Sequence, residues 1–258
     1  MFPSRRAVLG GGDVFRDEYS LEFDGTNDYV ELASPFESTF GASFSVSCWF
    51  KADDGLPLSG TSEAIFGARD DDSRVYLYIE DSGKIFVIYD VEGTSINAQS
   101  ASAELTDGQQ PWKHLVLVID DTANQIFIYL DNKLVTLDDG DNDGDIGSTD
   151  LSTYASTRNM FIGSASNNGS RNLDFAGKIS EWVLYSTALS ASQVATLYNG
   201  REPYNHKEGI ATGNLVGWWR MGDGTERSSG TTIYDMSANS NNGTMTNFPA
   251  GAFNGDTP

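Results

Sequence analysis

A chain of 258 residues that is 39% hydrophobic, with 5 Trp, 11 Tyr and 14 Phe, can fill a real core, which excludes global disorder. Sixteen basic against 37 acidic residues leave a formal net charge of −21. Such a surface repels phosphate backbones and anionic bilayers, so neither nucleic acid nor a membrane is an expected partner. Apolar runs such as LVLVI are of strand length, short of the roughly 20 residues that a membrane helix needs. The single cysteine, Cys48, excludes an intrachain disulfide and reads as an inert core thiol.

Residues 1–18 read as an extended arm. They hold Pro3, Arg5, Arg6 and Gly10 to Gly12 without any periodic pattern, and their local charge is positive in an acidic chain. The apolar stretch after the arginines is three residues long, too short for the core of a secretory leader, so no signal peptide is expected. The arm reads either as a disordered terminus or as a tether onto an acidic neighbouring subunit or a larger assembly.

From Tyr19 the pattern has period two. In SLEFDG, Leu21 and Phe23 share one face and Glu22 and Asp24 the other; in FSVSCWF, Phe44, Val46, Cys48 and Phe50 point one way. EAIFGAR, RVYLYIE, KIFVIYDVEG, WKHLVLVID, NQIFIYLDNKLVTL, NMFIG and GKISEWVLYS follow, each of strand length and separated by Gly, Asp, Asn or Ser. IEDSGKI and DNK read as tight turns between antiparallel neighbours. LSASQVATLYN departs from this pattern: Ser190 and Gln193 form a capping box, with Val194, Leu197 and Tyr198 at helical spacing, which predicts one short helix near 190–199. In residues 201–258, adjacent Trp218 and Trp219 must face opposite sides of a strand. The expected fold class is all-β, a two-sheet antiparallel jelly-roll sandwich.

The sharpest local motif is DGDNDGDIGSTD, residues 139–150. It sets Asp139, Asp141 and Asp143 at positions one, three and five of an EF-type calcium loop, Gly144 at six, Asp145 at seven and Asp150 at twelve, with Ile146 as the apolar anchor. Calcium is the cofactor these residues point to. Asp at twelve has a short reach, and the preceding IFIYLDNKLVTL reads as strand, so this is a calcium loop between strands or an acidic solvated turn. Asp70 to Asp72 read as a turn neutralised by the flanking Arg69 and Arg74.

SLEFDGTNDYVEL, FSVSCWFKAD, WKHLVLVIDDTANQIFIYLDNKLV and GKISEWVLYSTALSASQVATLYNG, in that order over residues 19–200, resemble the laminin G-like, concanavalin A-type lectin/glucanase superfamily. The arrangement is similar to LamG-type virion structural proteins of marine phages. The resemblance implies a jelly roll with glycans or protein surfaces bound at an edge of loops, often organised by calcium. It also brings Asp24, Asp28 and Asp235 together as a further calcium candidate, explained equally by Asx turns. Residues 201–258 resemble a segment that precedes the FDG strand in relatives, and are expected to complete the sandwich in permuted order. The function expected is a non-catalytic binding module on a virion surface, decorating a capsid or forming part of a fibre, and homo-oligomeric. Capsid or other virion proteins are its expected partners through the arm, and glycans at the loops. A purely structural assembly protein is the alternative. A retaining glucanase needs two opposed carboxylates, and the pattern beginning at Glu22 and Asp24 meets Thr26 and Asn27 where the third carboxylate belongs. His114, on a strand, reads as structural. Trp182, Trp218, Trp219, Tyr89 and Tyr154 are the aromatics considered for sugar stacking, most of them expected in the core.

Overall fold

Alternation of apolar and polar residues sets the strands, and Gly, Asn and Asp at their ends set the turns. The fold is that of a computed structural model, which describes residues 15–222 and 230–258; residues 1–14 of the expected arm lie outside them. In chain order the elements are β1 (Ser20–Asp24), β2 (Tyr29–Leu32), α1 (Glu37–Phe40), β3 (Phe44–Ala52), β4 (Ser62–Arg69), β5 (Arg74–Glu80) and β6 (Ile85–Val91). Then come β7 (Thr94–Gln99), β8 (Lys113–Asp120), β9 (Gln125–Leu130), β10 (Lys133–Leu134), β11 (Phe161–Ile162), β12 (Ala165–Asn167) and β13 (Ser170–Asn172). The last are β14 (Ala176–Tyr185), α2 (Ala191–Tyr198), β15 (Leu215–Trp219), β16 (Thr232–Ile233), β17 (Gly243–Thr246) and β18 (Phe253–Asn254).

Two sheets result, antiparallel apart from one short parallel pairing. The first runs β10-β9-β8-β3-β14-β1-β18, with β15 also on β14; the second runs β16-β17-β2-β11-β4-β5-β6-β7, with β12 parallel to β4 and β13 on β12. The chain is therefore the expected β-sandwich. The strands of residues 215–254 pair into both sheets, β15 and β18 in the first and β17 with β2 in the second. The turn at DNK carries positive φ at both Asp131 and Asn132, the conformation a two-residue hairpin demands. Helix α2 begins on Ser190, whose hydroxyl accepts from Gln193 N–H while the Gln193 side chain caps Ser190 N–H. The one-turn α1, which brings Phe40 into the core, is an addition to the single helix read from sequence.

Phe44, Val46, Cys48 and Phe50 of β3 meet Val75, Leu77, Val87 and Tyr89 of β5 and β6 across the main core, all at most 1% exposed. Each such side chain contributes about 1.5–3 kcal/mol by leaving water. The first sheet is apolar on its other face as well. Val116, Val118, Val183, Tyr185 and Trp218 form a second cluster there, covered by Leu189, Val194 and Leu197 of the α2 segment. Trp219 belongs to the main core and Trp218 to this outer cluster, so the pair does face opposite ways, with both rings buried.

A polar knot holds the outer layer. Residue Glu181 sits at φ 51° where the β14 register shifts, and is 1% exposed. Its carboxylate accepts from Trp218 Nε1 and from Arg220 Nε at 2.9 Å. The Arg220 guanidinium lies 4.5 Å from the Phe15 ring centroid, and Phe15 packs 5.8 Å from Trp218. Deeper in the same layer, His206 Nδ1 bonds Tyr185 Oη at 2.6 Å and His114 Nε2 bonds Ser47 Oγ at 2.9 Å. Burial pushes both imidazoles down to about 3, so both are neutral in the folded state.

Glu181→Ala removes the carboxylate that accepts from the buried Trp218 indole N–H and from Arg220 Nε, and is expected to destabilise the fold by about 1–3 kcal/mol in urea unfolding. For the histidines the sign is fixed by linkage. The unfolded chain protonates them near pH 6.5 and the folded chain near 3, so stability is full above 6.5 and falls as pH drops below it. Each contributes a slope of up to about 1.4 kcal/mol per pH unit. Glu63 works in the opposite direction, because burial raises its carboxyl to about 7 and acid relieves that penalty. Denaturant melts between pH 6.5 and 5 should therefore show falling stability, steeper in Glu63→Gln and shallower in His206→Gln.

Candidate functional site

The second sheet presents an outer face that its sequence makes unusual. Val75, Leu77 and Ile79 of β5 and Ile85, Val87 and Tyr89 of β6 point into the core. The opposite phase of these strands holds Tyr76, Tyr78, Phe86 and Ile88, so both faces are apolar. The register sets three rows across this outer face: Arg74, Asp90 and Ser95; Tyr76, Ile88 and Asn97; Tyr78, Phe86 and Gln99. Tyr78 and Phe86 lie 5.3 Å apart at 31°. Phe86 is 9% exposed and backs the half-buried Tyr78 and Ile88, which carry the open apolar surface.

The hairpin β12–β13 covers one end of this face. Tyr76 Oη donates to the Ser166 carbonyl at 3.0 Å, and Ala165 and Leu173 pack on Tyr76 and its neighbours. Polar groups frame the rest. Arg74 pairs with Asp90 at 2.7 Å, Gln99 Nε2 donates to Glu80 at 2.7 Å, and Lys84 Nζ donates to Gln99 at 3.3 Å. Burial, reinforced for Tyr78 by Glu80, raises the Tyr76 and Tyr78 hydroxyls to about 12, so both remain donors. An aromatic surface flanked by amides and carboxylates can stack on the CH face of a sugar and hydrogen-bond its hydroxyls.

At the end of the Arg74–Asp90 row, the β4–β5, β6–β7 and β12–β13 turns enclose a polar cavity of about 310 Å³. Asp70 to Asp72, Glu92, Arg158 and Asn168 line it. Asp70 accepts from Ser73 and Thr157 backbone N–H groups, and Asp71 from Asn168 Nδ2 at 3.0 Å. Of the two flanking arginines expected to neutralise this turn, Arg74 instead lies across the sheet on Asp90, because strand alternation aims it at the neighbouring strand.

The acidic loop makes a structural connection through its backbone. Its backbone runs between the edges of the two sheets. Asn142 O accepts from Gln99 N and Gly144 N donates to Asn97 O on one side; Gly144 O accepts from Ile126 N and Ile146 N donates to Asn124 O on the other. Gly144 adopts φ 78°, a conformation that favours glycine, and a Cβ there would stand 2.9 Å from Gln125 Nε2. Asp139, Asp141, Asp143, Asp145 and Asp150 are all exposed. Asp143 accepts from Asp145 N, Asp145 from Gly147 N, and Asp150 caps the one-turn 3-10 helix at Leu151–Thr153. Among the described residues, no three acidic, His or Cys side chains are grouped to hold a metal ion. As placed, the five carboxylates do not form the convergent six- to eight-oxygen cage that calcium needs.

The other candidates are structural in their contacts. Asp24 accepts from Thr26 and Asn27 N–H, Asp28 from Asp24 N–H, and Asp235 from Trp218, Ser237 and Asn241 N–H, which are Asx-type turns and caps. Glu22 bonds Asn254 Nδ2 at 2.7 Å. Ser47 and His114 touch, but both are at most 2% exposed, and Asp131 takes the His114 backbone N–H and not its ring. Trp182, Trp218, Trp219, Tyr89 and Tyr154 are all buried. The outward aromatics Tyr78 and Phe86 were absent from the sequence-based set, although apolar residues in both phases of RVYLYIE and KIFVIY signal them.

Residues 24–195 match the family model described as the concanavalin A-like lectin/glucanases superfamily. The non-toxic nonhemagglutinin type E of Clostridium botulinum is 26% identical over 138 residues, 53% of this chain and 11% of that protein. The type A protein of C. botulinum strain Kyoto is 22% identical over 117 residues, 45% of this chain and 10% of that protein. The chain thus matches about a tenth of these curated relatives. Among solved structures, a Bacteroides ovatus protein assigned as carbohydrate-binding superimposes with a TM-score of 0.60 at 21% identity, over 90% of this chain and 59% of that one. The CBM40 module of the Ruminococcus gnavus IT-sialidase, bound to α2,3-sialyllactose, superimposes at 0.53 and 14% identity, over 69% of this chain and 95% of the module. A two-sheet sandwich and a family match over residues 24–195 lead to one assignment: this chain belongs to the concanavalin A-like lectin/glucanases superfamily.

Proposed function

We propose that the chain is a non-catalytic carbohydrate-binding module whose ligand lies on the outer face of the second sheet. One observation carries this reading: Tyr78, Phe86 and Ile88 form an aromatic and aliphatic surface framed by Asn97, Gln99, Glu80 and Asp90. A solvent-facing strand pair with no binding role has no need of apolar residues in both phases. The polar cavity at the end of the face, with its carboxylates, Asn168 and Arg158, supplies further hydroxyl partners for a second sugar ring. The likeness in fold to the B. ovatus protein and to the sialyllactose-bound CBM40 module supports the ligand class. A virion setting, with capsid partners and a homo-oligomer, is carried by none of the matched proteins named above and forms no part of this proposal.

A glycan array, followed by calorimetry on the best ligand, tests it. Tyr78→Ala is expected to weaken binding about tenfold, the equivalent of about 1.4 kcal/mol and within the range of one aromatic contact. Asn97→Ala should weaken it by a smaller factor with an unchanged melting temperature. Full affinity in a folded Tyr78→Ala variant overturns the assignment of the face. The calcium expected for residues 139–150 is an arm of the same experiment: binding kept in EDTA assigns the contacts to the sheet face alone, and binding lost in EDTA brings the acidic loop into the site.

A further inference from the structure

Beside the acidic loop, at the β9–β10 edge of the first sheet, lies an open groove of about 640 Å³. Leu134, Val135 and Leu137 give it an apolar floor, and Asp138, Asp139 and Asp143 an acidic rim. Leu134 is 57% exposed, one of two large apolar side chains so open among the described residues. A groove that is apolar below and anionic above fits a segment with alternating apolar and cationic side chains. The chain contains one: in residues 1–12, MFPSRRAVLGGG, Arg5 and Arg6 stand among Phe2, Val8 and Leu9 with no acidic residue.

The anchoring of the following residues aims that segment at the groove. Phe15 is held on Trp218 and under Arg220, and Asp17 accepts from Ser180 Oγ at 3.1 Å. Followed backwards from β1, the chain therefore runs along β14 towards Tyr185. Tyr185 pairs with Ser45, Ser45 with Val118, and Val118 with Phe127, a row that joins the anchor to the wall of the groove; Leu189 and α2 cover its middle, so the segment passes around them. Four strand spacings from β14 to β10 cover about 19 Å. The nine residues from Arg6 to Phe15 reach about 30 Å when extended. A tether of that length raises the effective concentration of the segment into the millimolar range, above what a second copy supplies in dilute solution.

We propose that Met1–Leu9 of the same chain docks in this groove, with Arg5 and Arg6 on the acidic rim and the flanking apolar side chains over Leu134. The docked segment caps the β10 edge and shields Leu134 from other chains. This proposal is independent of the glycan reading.

Hydrogen exchange of the full-length chain over residues 133–139 tests it, with sedimentation velocity on the same samples. Arg5→Glu/Arg6→Glu and Asp138→Arg/Asp139→Arg should each speed exchange there by about tenfold, and the two pairs combined should return it to near the wild-type rate. A synthetic MFPSRRAVLG peptide should slow exchange in the Arg5→Glu/Arg6→Glu variant and leave the wild type unchanged. Equal exchange in all four proteins overturns the proposal. So does protection that disappears on dilution together with a sedimenting dimer, since the occupant is then a neighbouring copy.

Discussion

Both sheets of this sandwich are apolar on two faces, and much of the molecule's architecture follows from covering the second face of each. A two-sheet sandwich needs only its inner faces buried, with polar residues outside. Here the outer face of the first sheet carries Val116, Val118, Val183, Tyr185 and Trp218, and α2 with its flanking loops exists in the fold to cover them. The outer face of the second sheet carries Tyr76, Tyr78, Phe86 and Ile88, and among the described residues the short β12–β13 hairpin lies over it, reaching Tyr76. The uncovered remainder is the surface proposed to take a ligand. The fold positions that surface by the same strand pairing that builds the core, so the register fixes which side chains stand together on it.

The covered side is secured by polar contacts as well as by apolar packing. Glu181, Arg220 and Trp218 form a buried charged knot that ties the N-terminal residues Phe15 and Arg16 to the body, through Arg220 stacked on Phe15 and its donation to the Arg16 carbonyl. His206 and His114 fill the same layer in neutral form. Such groups add specificity of arrangement at a cost in desolvation, and they make this layer the acid-sensitive part of the protein.

The legible part of the structure was the part written in local pattern. FSVSCWF shows its inward phase directly, and Ser190 with Gln193 marks the start of α2 because a capping box is a contact between residues three apart. The acidic loop was legible as a loop, and Ile146 as its buried anchor, but not as a bridge between sheets. Its partners, Asn97 and Ile126, lie far away in sequence, and spacing alone cannot distinguish carboxylates that converge from carboxylates that face water. The candidate site was missed for a related reason. Tryptophan draws attention as a sugar platform, yet the Trp side chains considered are buried in this sandwich, and the outward Tyr78 and Phe86 show themselves only when both phases of their strands are read.

We propose that a saccharide occupies the uncovered outer face of the second sheet. Mapping amide and side-chain chemical shifts during titration with the best array ligand tests it most directly. Saturable shifts centred on Tyr78, Ile88, Asn97 and Gln99, spreading to Arg158 and Asn168, are expected. Shifts confined to residues 139–150 or to the outer layer around α2, with the Tyr78 row unmoved, would contradict it.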